Sequence, residues 1–380
     1  MSETSLSSRT SLAFVGCGYV ADFYALTLRH HPDLLLEGAF DIDGDRLDSF
    51  TRAYDVRAYD SLDELLSDEN VSIVVNLTTP QSHFEVSRSA LLSGKHVYSE
   101  KPLSTNFSES LQLAEIAAEQ GLHLSAAPCT VLGEVAQTVW KELRKEYIGP
   151  VRLVFAEMND GLVHQLGVED WRSCSGAPWP YRNEFITGCT NEHAGYWLTW
   201  LVAFFGPAIE VSSFATNIVE DPIDSLSAGE LAPDFSVACI RFRSGVVARI
   251  TCSIVASRNR ELRIFGDNAE LVVPDAWDFG AKASIRNRPE KSHDQSRYLP
   301  IPLLKPPPEK PSEMVNNIDF CRGIAELSES IAELRPCRLS SDFAVHVDEL
   351  CHLITSSRKG GSKQQLTSTC EPMVPMDWAK

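Results

Sequence analysis

Residues 11 to 31 read "SLAFVGCGYVADFYALTLRHH": a short apolar strand, a turn holding Gly16, Cys17 and Gly18, and then an amphipathic helical pattern opened by Tyr19 and Val20. Glycine at 16 and 18 permits a tight turn and close backbone approach. The helix that follows offers free N–H groups and a positive dipole end to a pyrophosphate. Ala21 stands where the third glycine of G-x-G-x-x-G would be, a replacement the motif admits. Context gives the motif its weight. The next apolar strand, "LLLEGAF" (34–40), ends at Asp41, about where an acidic side chain accepts hydrogen bonds from an adenosine ribose.

A carboxylate at that place repels the 2′-phosphate of NADP, and the following Ile42 and Asp43 supply no arginine to receive one, so NAD is the expected cofactor. The alternative reading of Asp41 is a cap on the next helix. Further strand–helix units follow in "SIVVNLTTPQSHFEVSRSALLSG" (72–94), "KHVYSEKPL" (95–103), "SESLQLAEIAAEQ" (108–120) and "LHLSAA" (122–127). This alternation predicts an α/β, doubly wound parallel sheet. Ligands bind beyond the carboxyl ends of such strands, which places Thr79, Pro80 and His83 at one border of the cofactor and Glu100 and Lys101 at another.

The chain has 380 residues, longer than one hydrophobic core usually grows, so two domains are expected: an NAD-binding domain over 1–127 and a second over 128–380. A net charge of −18 repels nucleic acid and anionic lipid, which leaves a small molecule as the expected partner. The opening "MSETSLSSRT" is polar and lacks a secretory pattern, and no apolar run reaches membrane-spanning length; a soluble, cytoplasmic protein is expected. The ten cysteines form no C-x-x-C pair and sit among apolar neighbours, so they read as reduced core residues, with no metal site.

The ordered set "GCGYVA", "FDID", "TTPQSH" and "SEKPLS", with the later "FFGP" and "RPCRLSSDFAVHVDEL", resembles the Gfo/Idh/MocA family of NAD(P)-dependent oxidoreductases across nearly the whole chain. The resemblance implies that Lys101, the lysine of E-K-P, lies beside the nicotinamide and the reacting carbon, and that the Lys101–Pro102 bond is cis. It also implies subunit association through the open sheet of the second domain, hence a homo-oligomer.

Past residue 127 the pattern changes. "VRLVFAEM" (151–158), "IEVSSFA" (209–215), "SVACIRFRSGVVARITCSIV" (236–255) and "ELRIFGDNAELVV" (261–273) read as strands of an antiparallel sheet in an α+β domain. Its helices are a run over 188–204 and two near the C-terminus, where Phe320, Ile324, Leu327, Ile331 and Leu334 recur at helical spacing. "LLKPPPEKP" (303–311) reads as a stiff connector. Trp171, Trp179, Trp197 and Trp200 read as core rather than as sugar-stacking rings. The tract "GVEDWRSCSGAPWPYRNEF" (167–185) is the expected substrate-reading loop.

In "GCTNEHAGYWLTW" (188–200), the resemblance places Glu192 and Tyr196 where family members carry an aspartate and a histidine four residues apart. Spacing of four stacks Glu192 and Tyr196 on one helix face, with His193 turned about 100° away towards Trp197. Tyr196 is then the proton-transfer group, its phenol lowered by the Lys101 ammonium, and Glu192 the orienting carboxylate. A shifted register would give that role to His193; alternatively, Asn191 or Glu192 caps the helix. The expected function is hydride transfer between NAD and a secondary alcohol or ketone of a sugar, sugar derivative or cyclitol. A non-catalytic NAD-binding regulator and a glycosidase with transient redox chemistry are the alternatives.

Overall fold

The computed structural model describes residues 9–145, 147–220, 222–223, 229–288, 297–357 and 363–380. Its first part alternates β1 (Thr10–Val15), α1 (Tyr19–Leu28), β2 (Leu34–Phe40), α2 (Gly44–Tyr54), β3 (Arg57–Ala58), α3 (Leu62–Ser67), β4 (Ile73–Asn76), α4 (His83–Leu92), β5 (His96–Ser99), α5 (Phe107–Gln120) and β6 (Leu124–Ala126). The six strands are parallel in the order β3-β2-β1-β4-β5-β6. β4, "IVVN", is buried at every position, as a strand covered on both faces must be. The strand order reverses between β1 and β4, and the segments that follow β1, β2, β4 and β5 therefore converge on one crevice.

The second part comprises α6 (Glu134–Leu143), β7 (Val151–Leu162), α7 (Tyr181–Thr187), α8 (Gly195–Phe205), β8 (Ala208–Thr216), β9 (Phe235–Phe242), β10 (Val247–Ser253), β11 (Val255–Asn259), β12 (Leu262–Gly266), β13 (Ala269–Val273), β14 (Ser284–Asn287), β15 (Leu299–Pro300), α9 (Arg322–Ala332), α10 (Ser341–Ser356) and β16 (Gln364–Gln365). Its sheet runs β15-β14-β13-β12-β7-β10-β9-β8-β16, with β11 on the end of β7. The sheet is largely antiparallel, but β7 and β10 pair in parallel. The long excursion through α7, α8, β8 and β9 between them supplies the crossover that parallel neighbours need.

Two expectations need correcting. Leu334 is not on the helical stripe: α9 ends at Ala332, and Leu334 takes a φ of 54° and is 93% exposed, two residues before Pro336 stops any continuation. The cysteines are all free, but Cys174 and Cys239 are exposed rather than core. In addition, α9 packs on β5 and β6, and α10 on α5 and β6, so chain from beyond residue 320 finishes the cover of the first sheet. Contact there is tight enough that a Cβ on Gly323 would come within 2.3 Å of the Tyr98 hydroxyl. No helix among the described residues is long and apolar enough to cross a membrane.

Candidate active site

The crevice beyond the parallel strands opens into a cavity of about 850 Å³ walled by both sheets. At one end lies the glycine turn. Gly16 has a φ of +99°, and a Cβ there would come 2.7 Å from the Leu77 carbonyl, so only glycine lets the turn cross β4's end. A Cβ on Gly18 would meet nothing within 4 Å, so the backbone faces open cavity where α1 begins. Tyr19 and Val20 give their first-turn N–H groups to that end.

Asp41 does not cap α2. That role falls to Asp43, whose carboxylate accepts from the Arg46 N–H. Asp41 instead accepts from the backbone N–H groups of Cys17 at 2.7 Å and Asp43 at 2.8 Å, which fixes its carboxylate on the cavity wall. The expectation that no arginine is near fails: the Arg46 guanidinium approaches Asp41 at 3.6 Å and lines the same wall. Arg46 was missed because it sits one turn into α2 rather than beside Asp41 in sequence. Thr79 and Pro80 also line the cavity. His83 reaches it, but its ring nitrogens lie 2.6 Å from the Pro102 carbonyl and 3.0 Å from the Thr78 carbonyl, so it ties two strand-end loops together. Glu100 accepts from the Tyr24 hydroxyl at 2.7 Å, and the Lys101–Pro102 bond is cis.

At the other end the Lys101 ammonium donates to Glu192 at 2.6 Å. Glu192 and His193 lie in a π-helical turn, Thr190–Ala194, that runs into α8. The wide turn explains a second correction. His193 does not meet Trp197, whose indole is fully buried and donates to the Glu157 carbonyl. With an extra residue per turn, Glu192, His193 and Tyr196 all reach the cavity wall. His193 Nε2 pairs with Glu184 Oε2 at 2.7 Å, and its ring lies 5.8 Å from that of Trp277, which also packs on Tyr196. Neither Asn191 nor Glu192 caps the helix; the Asn191 amide bonds the Thr187 carbonyl.

Charge states follow from burial and pairing. Burial alone would pull the Lys101 ammonium down, but Glu192, with Tyr196 and Glu100 behind it, holds it above the ordinary lysine value. Burial raises the Glu192 carboxyl, and Lys101 offsets only part of that. Burial would lower His193, yet Glu184 and Asp160 lift it to about 9, leaving an imidazolium at neutral pH. Tyr196 departs from expectation. Burial pushes its phenol above the ordinary value, and the Lys101 ammonium does not bring it back down. The resting group is a neutral phenol.

The 167–185 tract walls the cavity beside the glycine turn through Trp171, Arg172, Trp179 and Asn183. Trp171 and Trp179 pack against each other at 5.2 Å; unlike the fully buried Trp197 and Trp200, they are cavity rings rather than core. Between them, the Ser175 N–H and hydroxyl each donate at 2.8 Å to Asp22 on α1, which also accepts from the Tyr54 hydroxyl at 2.7 Å. Asp22, Asp160, Glu184 and Trp277 escaped the sequence reading: Asp22 and Glu184 lie within stretches quoted above, but for all four only tertiary contact reveals what the side chain touches.

Residues 10–127 match the family described as "Oxidoreductase family, NAD-binding Rossmann fold", and residues 136–272 match "GFO/IDH/MocA C-terminal domain". The chain is 26% identical over 269 residues to the trans-1,2-dihydrobenzene-1,2-diol dehydrogenase of Mus musculus, covering 69% of this chain and 74% of that protein. In fold it is similar to aldose-aldose oxidoreductase from Caulobacter crescentus, with a TM-score of 0.74 at 17% identity over 94% of this chain and 100% of that one. It is also similar to UDP-N-acetylglucosamine 3-dehydrogenase from Acidithiobacillus ferrooxidans, with a TM-score of 0.69 at 19% identity over 91% and 97%.

Proposed function

The chain belongs to the Gfo/Idh/MocA family of NAD(P)-dependent oxidoreductases, and from that premise we propose that it moves a hydride between NAD and a secondary alcohol or ketone carbon of a sugar, sugar derivative or cyclitol. The observation that carries the reading is the Lys101 ammonium, held at 2.6 Å on Glu192 in the same cavity that the glycine turn borders.

The residues present fit a dinucleotide. Gly18 leaves room for a pyrophosphate against the start of α1, where Gly16, Tyr19 and Val20 would hold it, and Asp41 would accept from the adenosine ribose. Thr79, Pro80, Glu100 and Lys101 would border the nicotinamide. The Asp41 carboxylate favours NAD over NADP, against the opposing pull of Arg46.

The bound nicotinamide supplies the hydride acceptor or donor. Lys101 spends one of its three N–H donors on Glu192 and keeps others to hydrogen-bond the reacting oxygen and stabilise developing alkoxide charge. Tyr196, kept protonated by burial, would donate to the ketone oxygen in reduction; in oxidation it would take the alcohol's proton only as the phenolate, after releasing its own proton to solvent. Glu192 fixes the ammonium in place.

The substrate end suits an uncharged, hydroxylated ring. Lys101 is balanced by Glu192 and His193 by Glu184, which favours a neutral group beside them; on the same wall Arg258 shares Asp160 with Arg260, and Arg172 bonds the carbonyls of Glu169 and Trp171. Trp171, Trp179 and Trp277 offer apolar faces. The names of the similar proteins, which act on a dihydrodiol, on aldoses and on an N-acetylglucosamine nucleotide, point the same way. Homo-oligomerisation would use the outer face of the second sheet, where Phe214 is exposed and Phe155 packs on Phe265.

The test is a panel of sugars, sugar nucleotides and inositols offered with NAD while NADH absorbance is followed. Accumulating NADH supports net oxidation. A released aglycone without NADH would replace it with transient redox chemistry, and NAD binding with neither product would leave a regulator.

A further inference from the structure

Lys101 sits on the loop that leaves β5, yet its ammonium has to meet Glu192, which a different part of the fold carries. On one flank the loop is tied where the Pro102 carbonyl meets His83 Nδ1 at 2.6 Å. On the other flank packing is incomplete. A cavity of about 20 Å³, room for a single water, lies behind Lys101 and Pro102, closed by Asn191 of the π-helical turn, Gly195 of α8, and Val347 and Asp348 of α10. A void gives its walls no dispersion contacts across it, so polar bonds have to fix the loop on that side.

Those bonds come from Asp348. Its carboxylate accepts from the Ser104 N–H at 3.4 Å and from the Ser110 hydroxyl of α5 at 2.8 Å. Ser104 lies three residues past Lys101 in the same loop, and Ser110 is fully buried. Burial pushes the Asp348 carboxyl up to about 7, against the pull of Ser110, Ser104 and the Leu103 N–H. Above that pH it is a carboxylate that can only accept. The helix that carries it, α10, also packs on the π-helical turn and on α8. One element therefore backs both members of the Lys101–Glu192 pair, and Asp348 is its polar grip on the Lys101 side. Among the described residues Asp348 makes no hydrogen bond to Lys101 itself, so its influence runs through the backbone.

Resting on the alcohol–ketone reading above, we propose that Asp348 is a positioning residue: by holding the segment that follows Lys101 to α10, it keeps the Lys101 ammonium at the reacting oxygen.

The test compares Asp348→Ala with Asp348→Asn, which keeps an acceptor oxygen, at a pH above the titration of Asp348 and a temperature below the Tm of every variant. Asp348→Ala should lower kcat at least about tenfold and leave NAD affinity within about twofold, since a small misplacement of a reacting group acts on turnover. Asp348→Asn should keep most of kcat. In a Lys101→Met background Asp348→Ala should cost no further kcat, because both changes remove the same contribution. A readout that needs no turnover is the rate of trace acetylation of Lys101 by acetic anhydride, with NAD present, followed by peptide mass spectrometry. A Lys101 ammonium loosened from Glu192 gives up its proton more readily, so Asp348→Ala should acetylate there at least about tenfold faster and Asp348→Asn at close to the wild-type rate. Asp348→Leu, apolar and of similar size, carries the same expectations if the alanine variant does not fold. A Lys101 acetylation rate unchanged in Asp348→Ala, a kcat loss that adds to that of Lys101→Met, or an Asp348→Asn as impaired as the alanine would each overturn the role. Faster Lys101 acetylation in Asp348→Ala with no NADH from any substrate would leave the positioning role standing and sink the dehydrogenase reading instead.

Discussion

The Lys101 ammonium and the Glu192 carboxylate meet at 2.6 Å from opposite sides of the fold, one just past the end of β5 and the other in the π-helical turn ahead of α8. Removing one member of such a buried pair leaves the other uncompensated, typically at a cost of about 3–5 kcal/mol. Lys101→Met should therefore lower Tm as well as kcat, the latter by about a hundredfold or more, with little change in NAD affinity. Adding Glu192→Gln should restore Tm and leave kcat low. Near-normal turnover in the single mutant would remove Lys101 from the chemistry.

Tyr196→Phe deletes the proposed proton donor and should cut kcat at least about a hundredfold, the low end of general acid–base effects. His193→Asn should cost far less kcat, because its Nε2 is engaged with Glu184. The two are compared on one substrate at saturating NAD. If His193→Asn has the larger effect on kcat, the proton passes through His193.

Cofactor choice turns on two side chains at one wall. The wild type should bind NAD more tightly than NADP in calorimetry, and Asp41→Ser should raise relative use of NADP. Arg46, 3.6 Å from Asp41, would then receive the 2′-phosphate, so Asp41→Ser/Arg46→Ala should lose that gain. Tighter NADP binding by the wild type would reverse the assignment of this wall.

The His193–Glu184 pair gives stability a signature on the alkaline side. The folded imidazole titrates at about 9, above the unfolded value near 6.5, so the pair's contribution is complete below about 6.5 and is lost as pH rises through about 9. The Tm difference between wild type and His193→Asn should be largest near pH 6.5 and shrink towards pH 10. A difference that stays constant over this range would mean the histidine is neutral throughout.

The parallel sheet was legible because its longer strands carry their signal locally, in an apolar run, a glycine turn or an acidic residue at the next strand end; the exposed two-residue β3 carries none. Lys101 was legible for the same reason. The second half of the site was not. A π-helical turn adds one residue to an otherwise regular run, and a reading at 3.6 residues per turn sends His193 to the wrong neighbour. Burial, too, is invisible in sequence, and it reversed the expected direction for the Tyr196 phenol. Glu184 reaches His193 from nine residues back, in α7, and Trp277 from far along the chain, and no helical spacing rule would have joined them.

The fastening of Ser175 to Asp22 bears on what sets the pace of the enzyme. A loop that walls the cavity beside the glycine turn and is clasped to α1 by two hydrogen bonds would have to let go if one dinucleotide is exchanged for another past it. Bonds to a buried carboxylate are worth about 1.5–3 kcal/mol each, so breaking both before a dinucleotide leaves would slow its departure, and we expect that step to limit turnover. Steady-state turnover should then be almost indifferent to deuterium at the transferred position. Asp22→Asn should speed NADH release about tenfold in stopped-flow fluorescence and uncover the isotope effect. A full isotope effect in the wild type would show that the clasp opens freely and that chemistry keeps the time.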